Sequence, residues 1–187
     1  MLQSIKGIKP RQITITHKVW DEAKKNTLNG IEKKISAAET IVHSQASIDI
    51  AASLYTYALE EFGKLLLLRN LPKIKSSNRR NVNYKNEFAC HDKKFELAFD
   101  YLQNANHGYC LILNDRGSFS PKSSSWRSFD LGLLADFNAR LSLLYTDFKY
   151  HQGGIILEVH PSVNKDYLIR AIRELRSAVQ ELNMSST

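Results

Sequence analysis

A chain of 187 residues, 43% hydrophobic and 24% charged, is long enough for one domain with a real core and too short for two ordinary ones. Its 26 basic and 19 acidic residues leave a net charge of +7, which favours a polyanionic partner without choosing between RNA, DNA and an acidic protein surface. The longest strongly apolar run, around Leu65 to Leu68, falls far short of the roughly 20 residues a membrane span needs, and MLQSIKGIKPRQ has no signal-peptide apolar stretch, so a cytoplasmic protein with no membrane partner is expected.

Residues 1–16 read as an irregular arm, interrupted by Gly7 and Pro10. Within it QITIT alternates like a short strand, and nothing later offers it a sheet. From His17 the apolar spacing becomes helical through HKVWDEAKKNTLNGIEKKISAAETIVHSQ, as one long helix or two divided at Asn29-Gly30. ASIDIAASLYTYALEEFGKLLLLRN is the strongest helix pattern in the chain, stopped by Pro72. LPKIKSSNRRNVNYKN is a polar, basic connection. NEFACHDKKFELAFDYLQNA forms a third helix that can extend through YCLILN. Residues 114–129 form a long loop, LGLLADFNARLSLLYTDF a fourth helix, HQGGIILEVHP a break, and NKDYLIRAIRELRSAVQEL a last amphipathic helix capped near Asn164. The expected architecture is all-α, an antiparallel bundle of about five helices in one domain.

Polar groups on apolar faces are the informative feature. In the second helix Ile50, Leu54, Glu61, Leu65 and Leu68 share one stripe, which places Glu61 toward the core and leaves Glu60 with Lys64 as an ordinary surface ion pair. Gly63 costs a helix interior about 1 kcal/mol against Ala, so it implies close approach by a neighbouring element. In the third helix Phe88, Phe95, Phe99 and Leu102 form the stripe, with His91 and Lys94 at its edge. In the fourth, Arg140 and Asp147 flank the stripe of Phe137, Leu141, Leu144 and Phe148, and His151 extends that edge if the helix runs so far. Glu61, Lys64, His91, Lys94, Arg140 and Asp147 together have the chemistry of an anion pocket, with cations for phosphate, histidine for a proton and carboxylates to orient them. They would serve equally as a structural polar network.

Arg69, Lys73, Lys75, Arg79, Arg80, Lys85, Lys93 and Lys94 form a basic segment in which Glu87 and Asp92 are the only acids, a candidate phosphate-facing surface or simply a solvated one. Cys90 and Cys110, in segments read as helical and without metal-ligand spacing, are expected to be reduced core thiols. EEFGK has lysine where a bundle di-metal site needs the histidine of Glu-x-x-His, and no Cys/His cluster or phosphate-binding glycine loop occurs, so no metal and no cofactor is expected.

The blocks ALEEFGK, HDKK and ARLSLLYTDF, in this order, resemble the AbiV-type branch of the HEPN superfamily, whose pattern is an alanine-rich helix ending in EELGK, then HxxK, then an arginine leading into LYVD. The resemblance covers about residues 24 to 180 and points to Glu60, Glu61, Gly63 and Lys64, to His91 and Lys94, and to Arg140, Tyr145 and Asp147. It implies a helical homodimer acting in abortive infection, where a cell under phage attack arrests its own growth, with a phage-encoded protein as activator or inhibitor. Many HEPN proteins are metal-independent ribonucleases. Their arginine, four to six residues, then histidine is not matched by Arg140 and His151, and Arg11 to His17 has the spacing but lies outside any helical pattern. Two functions are therefore expected: an effector that acts on RNA, with His91 as acid or base and Arg140 and Lys64 stabilising charge, or a noncatalytic helical dimer that holds a protein or structured RNA through Lys73, Lys75, Arg79 and Arg80.

Overall fold

Thr16 begins the first helix. Its backbone is extended, and its hydroxyl accepts from the Val19 N–H at 3.4 Å, satisfying one of the donors that a helix start leaves without a partner. From there α1 runs unbroken over His17–His43 in the computed structural model, which describes residues 12–44, 47–72, 74, 79–83, 88–104, 111–113, 118–121, 148–151, 154–157 and 162–184. Asn29-Gly30 does not divide it. Trp20, Thr27, Ile31, Ile35, Ala38 and Val42 are buried at three- to four-residue spacing, one stripe of one helix.

α2, Ile48–Arg69, is the centre of the fold. Fourteen of its 22 residues are buried, on nearly every side, because α1, α3 and α4 all pack against it. α3 spans His91–Asn104 and α4 spans Lys165–Met184. Tyr55, Leu59 and Phe62 of α2, Phe95, Phe99 and Leu102 of α3, and Leu168, Ile172 and Leu175 of α4 form the continuous core with Ile31 and Ile35. Each large side chain withdrawn from water stabilises the fold by about 1.5–3 kcal/mol before cavity and entropy terms. Asn164 caps α4 as expected, its Oδ1 accepting from the N–H groups of Asp166 and Tyr167 at 2.9 and 3.1 Å.

The described residues thus hold four helices, and the protein is broadly all-α, but not wholly antiparallel. The start of α1 meets the end of α2 at Trp20 and Leu68, so these two are antiparallel. Glu60 meets His91, Gly63 meets Lys94, and Arg69 lies within charge range of Tyr101, so α3 advances in the same general sense as α2. The link of about twenty residues between them is long enough to return the chain to the start.

That link also corrects the reading of the N-terminal arm. Gln12–Thr16 is a strand, β1, and its partner is β2, Arg79–Asn83, inside the stretch expected to be a plain connection. They pair antiparallel, Ile13 opposite Val82 and Thr16 opposite Arg79, and Val82 joins Trp20, Leu68 and Leu71 in a second small core. Further strands replace expected helix or loop. β3, Leu111–Leu113, stands where the third helix was to continue, β4, Ser118–Pro121, lies within the expected loop, and β5, Phe148–His151, ends at the histidine expected to extend the fourth helix. β6, Gly154–Leu157, pairs with β5, and β7, Ser162–Val163, runs parallel to β4. The Ile-Ile-Leu and Leu-Ile-Leu runs were too short to declare a period, the circumstance in which helix and strand are least distinguishable. Residues 1–11 and residues 131–147 of the fourth expected helix lie outside the described residues, and the last residue of that expected helix, Phe148, opens β5.

Candidate functional site

The two adjacent glutamates of α2 exchange the places expected of them. Ile50, at the head of the supposed core stripe, is 42% exposed, whereas Ala51, Tyr55, Ala58, Leu59 and Phe62 are fully buried. The buried arc is therefore displaced round the helix, toward Glu60 and away from Glu61. Phe95 and Phe99 of α3 pack on this displaced face, and Gly63 makes their approach possible. A Cβ at Gly63 would lie 1.8 Å from the Lys94 carbonyl oxygen, so only a bare Cα lets the α3 backbone come so near.

That close approach brings Lys94 and His91 onto Glu60. Glu60 Oε1 accepts from Lys94 Nζ at 2.7 Å and is bonded to His91 Nδ1 at 2.6 Å. The lysine and glutamate side chains are 8% and 12% exposed, the histidine 47%. A carboxylate accepts, so Nδ1 carries the proton in this bond. The lone pair of the neutral ring then resides on Nε2, and the half-exposed imidazole can meet a ligand with its orientation fixed from behind. Lys94 balances the buried carboxylate, which would otherwise be costly to desolvate. The arrangement can hold an imidazole in one tautomer and let it exchange a proton at the surface.

Glu61 forms a separate, shallower pair. Lys64 Nζ lies 3.4 Å from Glu61 Oε2, with side chains 38% and 31% exposed. Of the expected pocket, then, His91 and Lys94 come together on Glu60, while Glu61 and Lys64 stand one position and one turn away on α2. Arg140, Tyr145 and Asp147 lie outside the described residues, as do Lys73 and Lys75. Cys90 is a free, half-buried thiol placed just before α3 rather than in it.

The basic segment divides. Arg79 is exposed on β2, as a phosphate contact requires. Arg80 is half-buried, its guanidinium 4.0 Å from the Trp20 ring centroid and its terminal nitrogen donating to the Leu71 carbonyl. This is a fold contact and not a solvent-facing cation. The tryptophan beneath it is held through Pro72. The Leu68 carbonyl would accept from the N–H four residues on, which proline lacks, so Trp20 Nε1 donates to it instead, at 2.5 Å. Lys24 sits 3.5 Å from the same ring centroid and 3.0 Å from Asp21, which this hydrogen bond holds below the usual carboxylate range despite an opposing burial effect. Arg69 donates to the Leu182 carbonyl at 2.8 Å, joining the end of α2 to the end of α4. Nearby, burial pushes the Tyr101 phenol up, with the Glu181 carboxylate adding and Arg69 opposing. Trp20 escaped sequence reasoning, although a tryptophan one turn into α1 and a proline closing α2 were the available signals.

Among the described residues no group of three or more His, Cys, Asp or Glu is placed to hold a metal ion, and no helix is long and apolar enough to cross a membrane. No family model matches the chain, and neither the curated proteins nor the solved structures contain a match.

Proposed function

We propose that this protein is a cytoplasmic phage-defence effector of the HEPN type, a homodimer that acts on RNA with His91 as its acid–base group. The observation that carries the reading is the half-exposed imidazole of His91, fixed at Nδ1 by a buried carboxylate that Lys94 balances. This is what a general base needs: a set orientation, a lone pair toward the ligand, and a supporting layer shielded from water. The resemblance of ALEEFGK and HDKK to the AbiV-type pattern supports it, since both blocks meet at this cluster.

In the proposed reaction Nε2 of His91 takes the proton of a ribose 2′-hydroxyl as its oxygen bonds to the adjacent phosphorus. The bond from phosphorus to the 5′-oxygen breaks, leaving a 2′,3′-cyclic phosphate, and that oxygen takes a proton from water in leaving. Lys64, with a partly exposed ammonium one turn beyond Glu60, and Arg140 stabilise the charge gathering on phosphate. Lys94 and Glu60 are positioning residues, because neither reaches a substrate except through His91.

A second reading has its own observation. Glu60, His91 and Lys94 bridge two helices as a bonded set, which is also how a purely structural network is built. In that case the protein inhibits growth by holding a partner protein or structured RNA. Inducing the wild-type chain and His91→Ala in bacteria, and examining growth and total RNA, separates the two. RNA cleavage and growth arrest that both disappear with His91 are expected. Arrest that persists without His91 while RNA stays intact would sink the catalytic reading. Arrest by the binding route should then fail when Lys73, Lys75 and Arg79 are neutralised; Arg80 is left in place because it supports Trp20.

A further inference from the structure

A groove of about 470 Å³ opens between the β1–β2 pair, α1 and α2. That volume is within the ordinary range for a ligand pocket. Buried Leu68 and Val82 and partly buried Ile15, Ala23 and Phe88 line it, and the exposed side chains of Ile13 and Val19 belong to it as well. Its charged lining is two lysines against one carboxylate, beside the neutral Asn26 and Thr27. Lys34 and Lys64 are there with Glu61, and each lysine makes a long contact of 3.4 Å, Lys34 to the Gly30 carbonyl of its own helix and Lys64 to Glu61. Contacts at the limit of hydrogen bonding leave two ammonium groups ready for a stronger acceptor.

The groove's lining does not include Glu60, His91 or Lys94, but two of its residues lie close to them along the chain. Lys64 follows Glu60 by one turn of α2, Phe88 precedes His91 by three residues, and Glu60 and His91 are bonded to each other. An aliphatic slot with one aromatic ring, cations at its side and an oriented imidazole beyond is the set of surfaces that one unpaired nucleotide presents a use for: a flat base to cover, a phosphate to neutralise and a ribose hydroxyl to deprotonate. The groove's apolar character alone would suit many ligands; the two lysines against one carboxylate, the net charge of +7 and the closeness of Lys64 and Phe88 along the chain to Glu60 and His91 favour a nucleic-acid strand.

We infer that this groove is the base-holding subsite of the His91 site, taking one unpaired nucleotide of an RNA strand, an inference that rests on the RNA-acting reading above. Asn26, also lining the groove, carries an amide able both to donate to and to accept from a base edge.

The test uses a fluorescein-labelled hexanucleotide in its 2′-deoxy form, which lacks the attacking hydroxyl, and the RNA of the same sequence. Binding is read by fluorescence anisotropy at low salt, cleavage by gel. The variants are Val19→Glu and Lys34→Gln, with His91→Ala beside them. Val19 is 50% exposed and occupies the third position after the Thr16 cap, where glutamate favours a helix start, so the fold is kept. The expected result is hexamer binding weakened about tenfold by Val19→Glu and severalfold by Lys34→Gln, in line with loss of one base slot and one phosphate contact, while His91→Ala abolishes RNA cleavage and keeps binding. Equal hexamer binding by wild type and both groove variants, with RNA cleavage present, would overturn the subsite and leave the RNA reading standing. A wild-type chain that neither binds the hexamer nor cuts the RNA would overturn both.

Discussion

Two polar clusters lie on α2, one midway at Glu60 and one at its C-terminal end, and they use charge in opposite ways. At the end of the helix Trp20, Arg80 and Arg69 donate to backbone carbonyls of Leu68, Leu71 and Leu182. Those acceptors are fixtures of the chain, left over where helices stop, and the donors that serve them are part of the fold. At Glu60 the acceptor is a side chain placed on a nearly all-buried helix, and one of its donors is an imidazole 47% exposed. The first cluster closes on the backbone; the second leaves an imidazole half-exposed. Cations near each other in sequence therefore differ in availability, and a charge run cannot be read as a surface until its acceptors are known.

The largest effect expected concerns the close approach that creates the second cluster. Gly63→Ala puts a methyl group 1.8 Å from the Lys94 carbonyl, so α3 must move away and carry Lys94 and His91 with it. Destabilisation of about 3 kcal/mol or more is expected, above the usual range for one added methyl. Urea unfolding followed by circular dichroism measures it. A variant that unfolds at the wild-type urea concentration would mean the helices can separate freely, and the geometry around Glu60 would lose its foundation.

Glu60→Ala comes next. It leaves the Lys94 ammonium, 8% exposed, without the carboxylate that balances it, and should lower stability by about 3 kcal/mol, the range for breaking one side of a buried pair. His91→Ala removes a half-exposed ring and should lower stability by under about 1 kcal/mol, which is why its effect on RNA can be read as chemistry. At the other cluster, Trp20→Phe deletes the indole N–H and the pyrrole half of the buried ring, leaving the Leu68 carbonyl without that donor and a gap against Arg80; about 2 kcal/mol or more of stability should go, with no change in any activity of the His91 site. Loss of activity on Trp20→Phe in a chain that still folds would erase the functional distinction between the two clusters.

The sequence displayed one part of this contrast and hid the other. Helix positions followed from periodicity and breakers: α1 from its helical spacing, though not its continuity through Asn29-Gly30, α4 from its stripe and the Asn164 cap, the end of α2 from Pro72. Gly63 announced a close approach because nothing else explains glycine in so apolar a helix. The phase of α2 was hidden, because a helix buried on nearly all sides has no single stripe from which to read which glutamate points inward. β2 was hidden too: RRNVN is short, polar and basic, and only its partner QITIT, some 65 residues earlier, makes it a strand. The pairing of Trp20 with Leu68 depends on α1 and α2 being antiparallel neighbours, a fact of packing that no local pattern contains.

The smallest effect expected is also the sharpest check on the phase of α2. If the sequence stripe were right, Glu61 would be the buried carboxylate and Glu61→Ala the damaging change. In the structure Glu61 is partly exposed and its ion pair with Lys64 is 3.4 Å long and within a single turn of helix. Such pairs contribute little, and alanine favours a helix interior, so Glu61→Ala should leave stability within about 0.5 kcal/mol of wild type. Glu60→Ala and Glu61→Ala, measured together in one urea series, thus give a contrast of adjacent residues with the same side chain. A large loss at Glu60 and almost none at Glu61 places the first on the α3 side, against Lys94 and His91. The reverse order would rotate α2 by one residue, about 100°, and take the Glu60–Lys94–His91 cluster apart.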